Sequence, residues 1–573
     1  MGLPPSLLCV ELQYCIAIGN IAIIGIEMEF AWLVLLTQLS LLFFFGCCDR
    51  DDPNYAFVKH SSGAPPVSYH DYIVVGGGTA GCPMAATLSE GFDVLVLERG
   101  GSPYGNLNIS NLASMVDNLG DLSPEGPVQR FVSEDGVINS RARVLGGGSC
   151  INAGFYSRAS AQEVESMGWD ARQVREAYEW VEEVVAFEAR PVNWTAALKD
   201  ALVEAGLTPD NGFTYEHLNG TKIGGSIFDP TGHRHTAADL LRYANPRRLT
   251  VLLRATVHRI LLQKKRGGSR ARAHGVIYKD ALGKKHRAYL KGGAGEVILA
   301  AGALGSPQLL MLSGIGPADH LKSLGIKVVM DQPLVGQGMS DNPTNAVLSP
   351  SPLPVDLASV QVVGVSPLGF YVEHLTGFNV LPALSIDTTN PRQASQVFFG
   401  ASAVDDESGT IGVTFQGGLI VEKVARPLSR GYLKLKNRNP SENPSVTFNY
   451  FAAPEDVEVC VESLKTIQRA IQSEALAKYR YPDLTIDDLV DISANLIVNE
   501  RPRQATYNST NLDQYCKDVV LTIWHFHGGC LVGQVVDREN RVLGVDALRV
   551  IDGSTFSFSP GTNPQATVMM MGR

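Results

Sequence analysis

A chain of 573 residues is too long for one hydrophobic core and predicts at least two domains, with room for a deep ligand cleft. Its 48 Lys and Arg against 58 Asp and Glu leave a net charge of -10 and form no basic stripe, which argues against DNA or RNA as partner and for a neutral or apolar small molecule.

The first organised signal is the run from Ala31 to Cys47, about the length of a signal-peptide apolar core and short for a membrane span. Residues 28–48 therefore read as a secretory signal, and residues 1–27, which lack a positive start, as a leader added by an over-extended gene model. A signal anchor is the competing reading, because residues 1–27 carry apolar patches of their own that together with this run are long enough to span a bilayer. The mature chain is expected to be a monomer in the secretory pathway or cell wall, with no stable membrane span. Asn108, Asn193, Asn219 and Asn508 open Asn-x-Ser/Thr triplets, which fit glycosylation in that compartment. An oxidising compartment also permits Cys460 to pair with Cys516 and leaves Cys82, Cys150 and Cys530 free.

Residues 49–70 are polar and aperiodic, and the fold is expected to start near Tyr72. Tyr72-Ile-Val-Val reads as a buried strand running into Gly76, Gly78 and Gly81, with Thr79 and Ala80 between them. That spacing allows a tight turn, close backbone approach to a pyrophosphate, and a helix whose free N–H groups face the phosphates. Val94-Leu-Val-Leu-Glu98 then supplies a second strand ending in an acid, 17 residues past Gly81, suited to ribose hydroxyls. A second glycine cluster occupies Arg143 to Tyr156, and a helix is predicted over about 171–188. Residues 249–262 and 270–290 read as a strand meander, and Glu296 to Gly302 as a short strand entering a glycine turn. From about Ala346 to Asp518 the composition changes, with β-like segments at 410–421 and 431–436 and a helix from Pro454 to Ser473. His525, His527 and Cys530 lie close together, but no second cluster completes a tetrahedral set, so no metal site is predicted.

Read together, Arg143 to Tyr156, Gly302 to Gly316, Trp524-His-Phe-His-Gly-Gly-Cys530 and Leu548 to Thr555 resemble the glucose-methanol-choline (GMC) oxidoreductases over about residues 68–573. Ala142-Arg-Val-Leu-Gly-Gly, Asn152 to Arg158 and Val446-Thr-Phe-Asn-Tyr-Phe451 look most like the plant HOTHEAD and mandelonitrile-lyase branch. The resemblance implies a mixed α/β chain: a Rossmann-like FAD-binding domain (68–170, 225–345 and 519–573) beside a substrate domain built on an antiparallel sheet with flanking helices (171–224 and 346–518). It implies FAD rather than NAD. Gly76, Gly78, Gly81, Thr79, Ala80 and Glu98 would hold the ADP half, and Val257 would offer its backbone to adenine. Val144, Gly146, Gly147, Gly148, Ser149, Asn152 and Ala153 would line the path to the flavin, with Asp552, Gly553, Pro564 and Gln565 near the ribityl chain and ring. Ile151 stands where some relatives carry the histidine that anchors FAD covalently, so a non-covalent cofactor is expected.

His525 would be the active-site histidine and Asn563 its partner, sharing the hydroxyl proton of an alcohol and stabilising the developing alkoxide. His527 is expected to support the site structurally. The branch points to oxidation of a CH–OH group, with a long-chain ω-hydroxy fatty acid as one substrate class. The alternatives are a hydroxynitrile lyase with structural FAD, disfavoured because Asn563 replaces the second histidine of those lyases, and an inactive FAD-binding homologue. Relatives continue further into the final helix than Met569-Met-Met-Gly-Arg573, so an incomplete gene model is expected at this end too.

Overall fold

Ile, Val and Leu on both faces of Tyr72–Val75 and Val94–Leu97 are the pattern of strands covered on both sides. The computed structural model describes residues 55–121, 123–264, 270–377, 401–405, 411–415, 417–494, 499–502 and 511–573. In it these two runs sit in the middle of a six-stranded sheet. Its strands are β1 (Val58–His60), β2 (Tyr72–Val75), β3 (Val94–Leu97), β4 (Leu249–Leu253), β5 (Glu296–Leu299) and β6 (Leu548–Val550). They lie side by side in the order β1-β4-β3-β2-β5-β6, every pair parallel.

Strand β2 is the point where the winding reverses: β3 and β4 follow on one side, β5 and β6 on the other. Open parallel sheets bind ligands beyond the carboxyl ends of the strands at such a point. The register brings those ends level, with Val75 beside Leu97 and Leu299, and Leu299 beside Val550. Gly76, Glu98, Ala300 and Asp552 therefore emerge along one edge. Helix α1 (Gly81–Ser89) starts there and packs in one core with Val74, Val96 and Ile298, while Ile73, Leu95 and Val297 are buried in the core on the opposite face of the sheet. Each such side chain contributes roughly 1.5–3 kcal/mol of transfer free energy.

The meander occupies Thr256–Lys264, Ala271–Lys279 and Lys285–Leu290, antiparallel in sequence order. The run over 249–262, read as part of the meander, is shared between two sheets: Leu249–Leu253 joins the parallel sheet, Arg254 turns the chain at φ 58°, and the meander begins at Thr256. Helix α2 (Ala171–Val185) opens on Asp170, whose carboxylate accepts the N–H groups of Arg172 and Gln173, and ends before a two-residue strand at Phe187–Glu188.

A second sheet has seven strands, ordered Leu521–Thr522, Pro343–Pro350, Gly417–Val424, Phe370–Thr376, Val362–Val365, Gly220–Ile223 and Asp210–Phe213. Neighbours are antiparallel except the last pair. Helices α3 (Asn193–Glu204) and α4 (Pro454–Gln472) pack against it. Pro454 at the start of α4 and the acids Glu455 and Asp456 in its first turn explain why the helix begins there. Cys460 of α4 is disulfide-bonded to Cys516, the expected pairing, and Cys82, Cys150 and Cys530 are free and buried. Residues Tyr55–Arg573 form one compact unit.

Among the described residues no helix is long and apolar enough to cross a membrane, and no group of three His, Cys, Asp or Glu could hold a metal ion. Asn108, Asn193 and Asn219 are exposed, whereas Asn508, the leader and the signal segment lie outside the described residues.

Candidate active site

The two glycine clusters form one cradle. Gly76, at the end of β2, has φ +104°, and a Cβ there would come within 2.4 Å of the Ala300 carbonyl oxygen. Gly147 has φ +62°, and its Cβ would lie 2.7 Å from the Gly78 Cα. Side chains at either place would prise the loops apart. Gly146 N–H donates to the Gly77 carbonyl (2.7 Å), and the Thr79 hydroxyl to that of Gly146 (3.4 Å). Helix α1 starts at Gly81 with Ala80 as its cap and no capping side chain; Cys82 N–H is taken by the Gly78 carbonyl (3.0 Å) and Pro83 has none, so an anion at this end would meet the dipole and the N–H groups of the turn before Cys82.

Glu98 is buried, its oxygens taking the N–H of Gly77 (2.9 Å) and of Gly100 (2.7 Å). Burial raises its pKa, and those two bonds, together with Arg99 and Arg141, oppose the rise. A carboxylate accepts about four hydrogen bonds, which leaves capacity for ribose hydroxyls. Ala255 N–H donates to the Glu98 carbonyl (2.8 Å), and Val257 lies buried two residues on. The absence of side chains along the cradle, its helix start and its acid fit the dinucleotide expected from the sequence.

Several residues expected to contact cofactor are also tied to protein. The Asn152 amide donates to Gln565 Oε1 (2.8 Å) and its oxygen accepts from Gly154 N–H (3.0 Å) and Arg234 (3.0 Å). The Gln565 amide donates to the Phe155 carbonyl (2.6 Å), which joins the second glycine cluster to helix α5 (Gln565–Gly572), capped by Pro564. Ser149 bridges Gly146 and Ala237, Val144 is buried beside Gly101, and the Ala153 carbonyl accepts the Ser359 hydroxyl. A Cβ on Gly148 would reach no closer than 3.7 Å to Thr79. Asp552 is buried; it accepts the N–H groups of Gly302 and Ser554 (both 2.9 Å) and the Ser306 hydroxyl (2.5 Å). It therefore ties β6 to the turn after β5, and Gly553 accepts Gly528 N–H (3.1 Å).

His525 and Asn563 meet although they are 38 residues apart: Asn563 Nδ2 is 3.5 Å from His525 Nε2. His525 Nδ1, Asn563 Oδ1 and Thr562 Oγ1 are buried with no protein partner, as expected of atoms that serve a bound molecule. Burial, with the charges of Lys423 and His527, holds the His525 imidazole well below its ordinary pKa and hence neutral. His527 donates from Nδ1 to the His525 carbonyl (2.9 Å) and pairs its own backbone with Ser340, a supporting role. Burial draws its pKa down to about 4.

Residues without a sequence motif hold this pair. Asp341 accepts the His525 backbone N–H, the Thr522 hydroxyl (2.6 Å), the Tyr450 hydroxyl (2.5 Å) and Asn342 N–H (2.9 Å). Burial raises its pKa to about 6. Glu163 accepts Gly561 N–H (3.1 Å), and Lys423 donates to the Thr562 carbonyl. The one available signal was the pair Glu422-Lys423 inside the apolar run from Gly417 to Val424, where a solvent-facing strand would not place two adjacent charges.

Two family profiles described as GMC oxidoreductase match residues 70–344 and 427–572. Protein HOTHEAD of Arabidopsis thaliana is 50% identical over 521 residues, covering 88% of this chain and 87% of that one. An Arabidopsis thaliana protein named (R)-mandelonitrile lyase-like is 44% identical over 555 residues, covering 94% and 96%. Pyridoxine 4-oxidase from Mesorbium loti superposes with a TM-score of 0.69 at 21% identity, covering 88% of this chain and 97% of its own, a likeness of fold.

Proposed function

Because the chain belongs to the GMC oxidoreductase family and is an FAD-dependent oxidoreductase, we propose that it oxidises the CH–OH group of an apolar alcohol at His525 and Asn563. The observation that carries this reading is the pairing of a neutral imidazole with a carboxamide, both with unpartnered buried atoms, 3.5 Å apart. An alcohol oxygen in reach of both side chains would give its proton to the His525 imidazole, and the Asn563 carboxamide would hydrogen-bond the oxygen as negative charge develops on it. Bound FAD supplies the acceptor for the carbinol hydride. The cradle of Gly76, Gly78, Gly81, Gly146, Gly147 and Gly148, with Glu98 at the ribose, would hold it. The buried Ile151 offers no nucleophile, which supports a non-covalent cofactor.

In this reading residues 68–170, 225–345 and 519–573 bind FAD, and 171–224 and 346–518 shape the substrate site. The substrate class we favour is a long-chain ω-hydroxy fatty acid, acted on by a monomer in the secretory pathway or cell wall. Exposed Asn108, Asn193 and Asn219 and the buried disulfide support that compartment. Cyanohydrin cleavage is the second reading, favoured by the mandelonitrile lyase-like relative and opposed by Asn563 in place of a second histidine.

Holoenzyme from a eukaryotic secretory host, incubated with ω-hydroxy fatty acids, aryl alcohols and mandelonitrile, tests the proposal. It predicts aldehyde from an alcohol and no cyanide. Cyanide and benzaldehyde released from mandelonitrile, with neither class of alcohol oxidised, would transfer the site to the second reading. Acid precipitation should leave the flavin in the supernatant; flavin in the pellet would refute the non-covalent attachment.

A further inference from the structure

Strands Phe370–Thr376 and Gly417–Val424 carry an ion pair that the proposed reaction does not use. Lys423 Nζ lies 2.7 Å from Glu373 Oε1, and the side chains are 0% and 2% exposed. Burying two charges is unfavourable unless their geometry is good and their remaining hydrogen bonds are met. Here the ammonium also donates to the Thr562 carbonyl and sits 5.1 Å above the Tyr371 ring, so each of its donors has a fixed direction.

Thr562 immediately precedes Asn563. The lysine comes from the antiparallel sheet and the carbonyl from the loop before α5, so this bond fastens the two next to the site. We propose that Lys423, held by Glu373, is a positioning residue for the His525–Asn563 pair: it fixes the Thr562 peptide and through it the Asn563 carboxamide. This rests on the alcohol-oxidising reading above. The charge has a second effect. Lys423 and His527 both disfavour a proton on His525, adding to burial, while Asp341 accepts the His525 backbone N–H. Burial lowers the Lys423 pKa, and Glu373 and Asp341 oppose that fall. Around the Asn563 loop Glu163 accepts Gly561 N–H, and Arg430 acts on His527.

The test compares wild-type holoenzyme with K423M, K423R and the double variant K423M/E373L, which removes both charges and leaves no lone buried carboxylate. Two quantities are read: the pH dependence of kcat/KM, and the titration of the His525 ring by NMR in 15N-histidine-labelled protein, assigned through His525→Gln. K423M and the double variant should lose roughly tenfold or more in kcat with KM nearly unchanged, as expected when a catalytic group is misplaced. The acid limb and the ring titration should both move up by about one pH unit once the like charge is gone. K423R should return the titration to its wild-type position. Unchanged kcat, or a ring titration that stays put in both K423M and the double variant, overturns the proposal. A wild type that oxidises no alcohol defeats the functional reading, while the ring titration still decides this one.

Discussion

Trp524 adopts φ +58°, a left-handed backbone that costs a bulky residue on the order of 1–3 kcal/mol and persists only where its surroundings enforce it. The enforcement is visible: Thr522 Oγ1 accepts Trp524 N–H (2.7 Å), and Asp341 holds Thr522 on one side and His525 on the other. Tyr450 completes the clamp, which gives the Val446 to Phe451 segment a supporting place behind His525. Asp341→Asn removes a carboxylate whose folded pKa of about 6 exceeds its ordinary value of 3.8. Because the folded state then binds the proton more tightly than the unfolded chain, wild type should gain stability relative to the variant as pH falls from about 7 to 4. The gain is on the order of 3 kcal/mol, measurable by denaturant titration. A difference independent of pH would place the ionisation elsewhere. His525 and Asn563, the proposed catalytic pair, were legible because a family motif surrounds each. Asp341 was not, since its importance arises from four groups that meet only in the folded chain.

At the scale of elements, the disulfide is the clearest lever on stability. It joins α4 to the helix Leu512–Asp518 across 56 residues, and both cysteines are fully buried beneath the antiparallel sheet. Cys460→Ala with Cys516→Ala should destabilise by about 2–5 kcal/mol, lowering the calorimetric Tm while leaving flavin content unchanged. Equal Tm values would mean that packing alone holds α4. Elements with strong local signals matched expectation: β2 and β3 through their unbroken apolar runs, and α4 through its proline, acids and helical period. Leu249–Leu253 was read with the meander because an apolar strand pattern does not tell which sheet a strand joins. Glu373 and Lys423 sit on strands where a charge ordinarily marks the solvent face. Only the pairing of Glu373 with Val421 and Tyr371 with Lys423 brings their side chains within reach.

On the scale of the whole molecule, the parallel sheet delivers Gly76, Glu98 and Asp552 to one edge, and the antiparallel sheet delivers Lys423 and, through Asp341, the support of His525. The site is legible as a cofactor fold from its glycines, but its substrate is not, because apolar strands set pocket shape without a motif. The central claim is that alcohol is oxidised by loss of its hydroxyl proton to His525 together with its carbinol hydride. Anaerobic stopped-flow mixing of holoenzyme with an ω-hydroxy fatty acid, unlabelled and deuterated at the carbinol carbon, tests this most directly. The account predicts loss of the oxidised-flavin absorbance near ~450 nm, slowed by deuterium, and slowed roughly 10²–10⁴-fold by His525→Gln. Absorbance that persists with every alcohol tried, or that falls equally fast in His525→Gln, would contradict it.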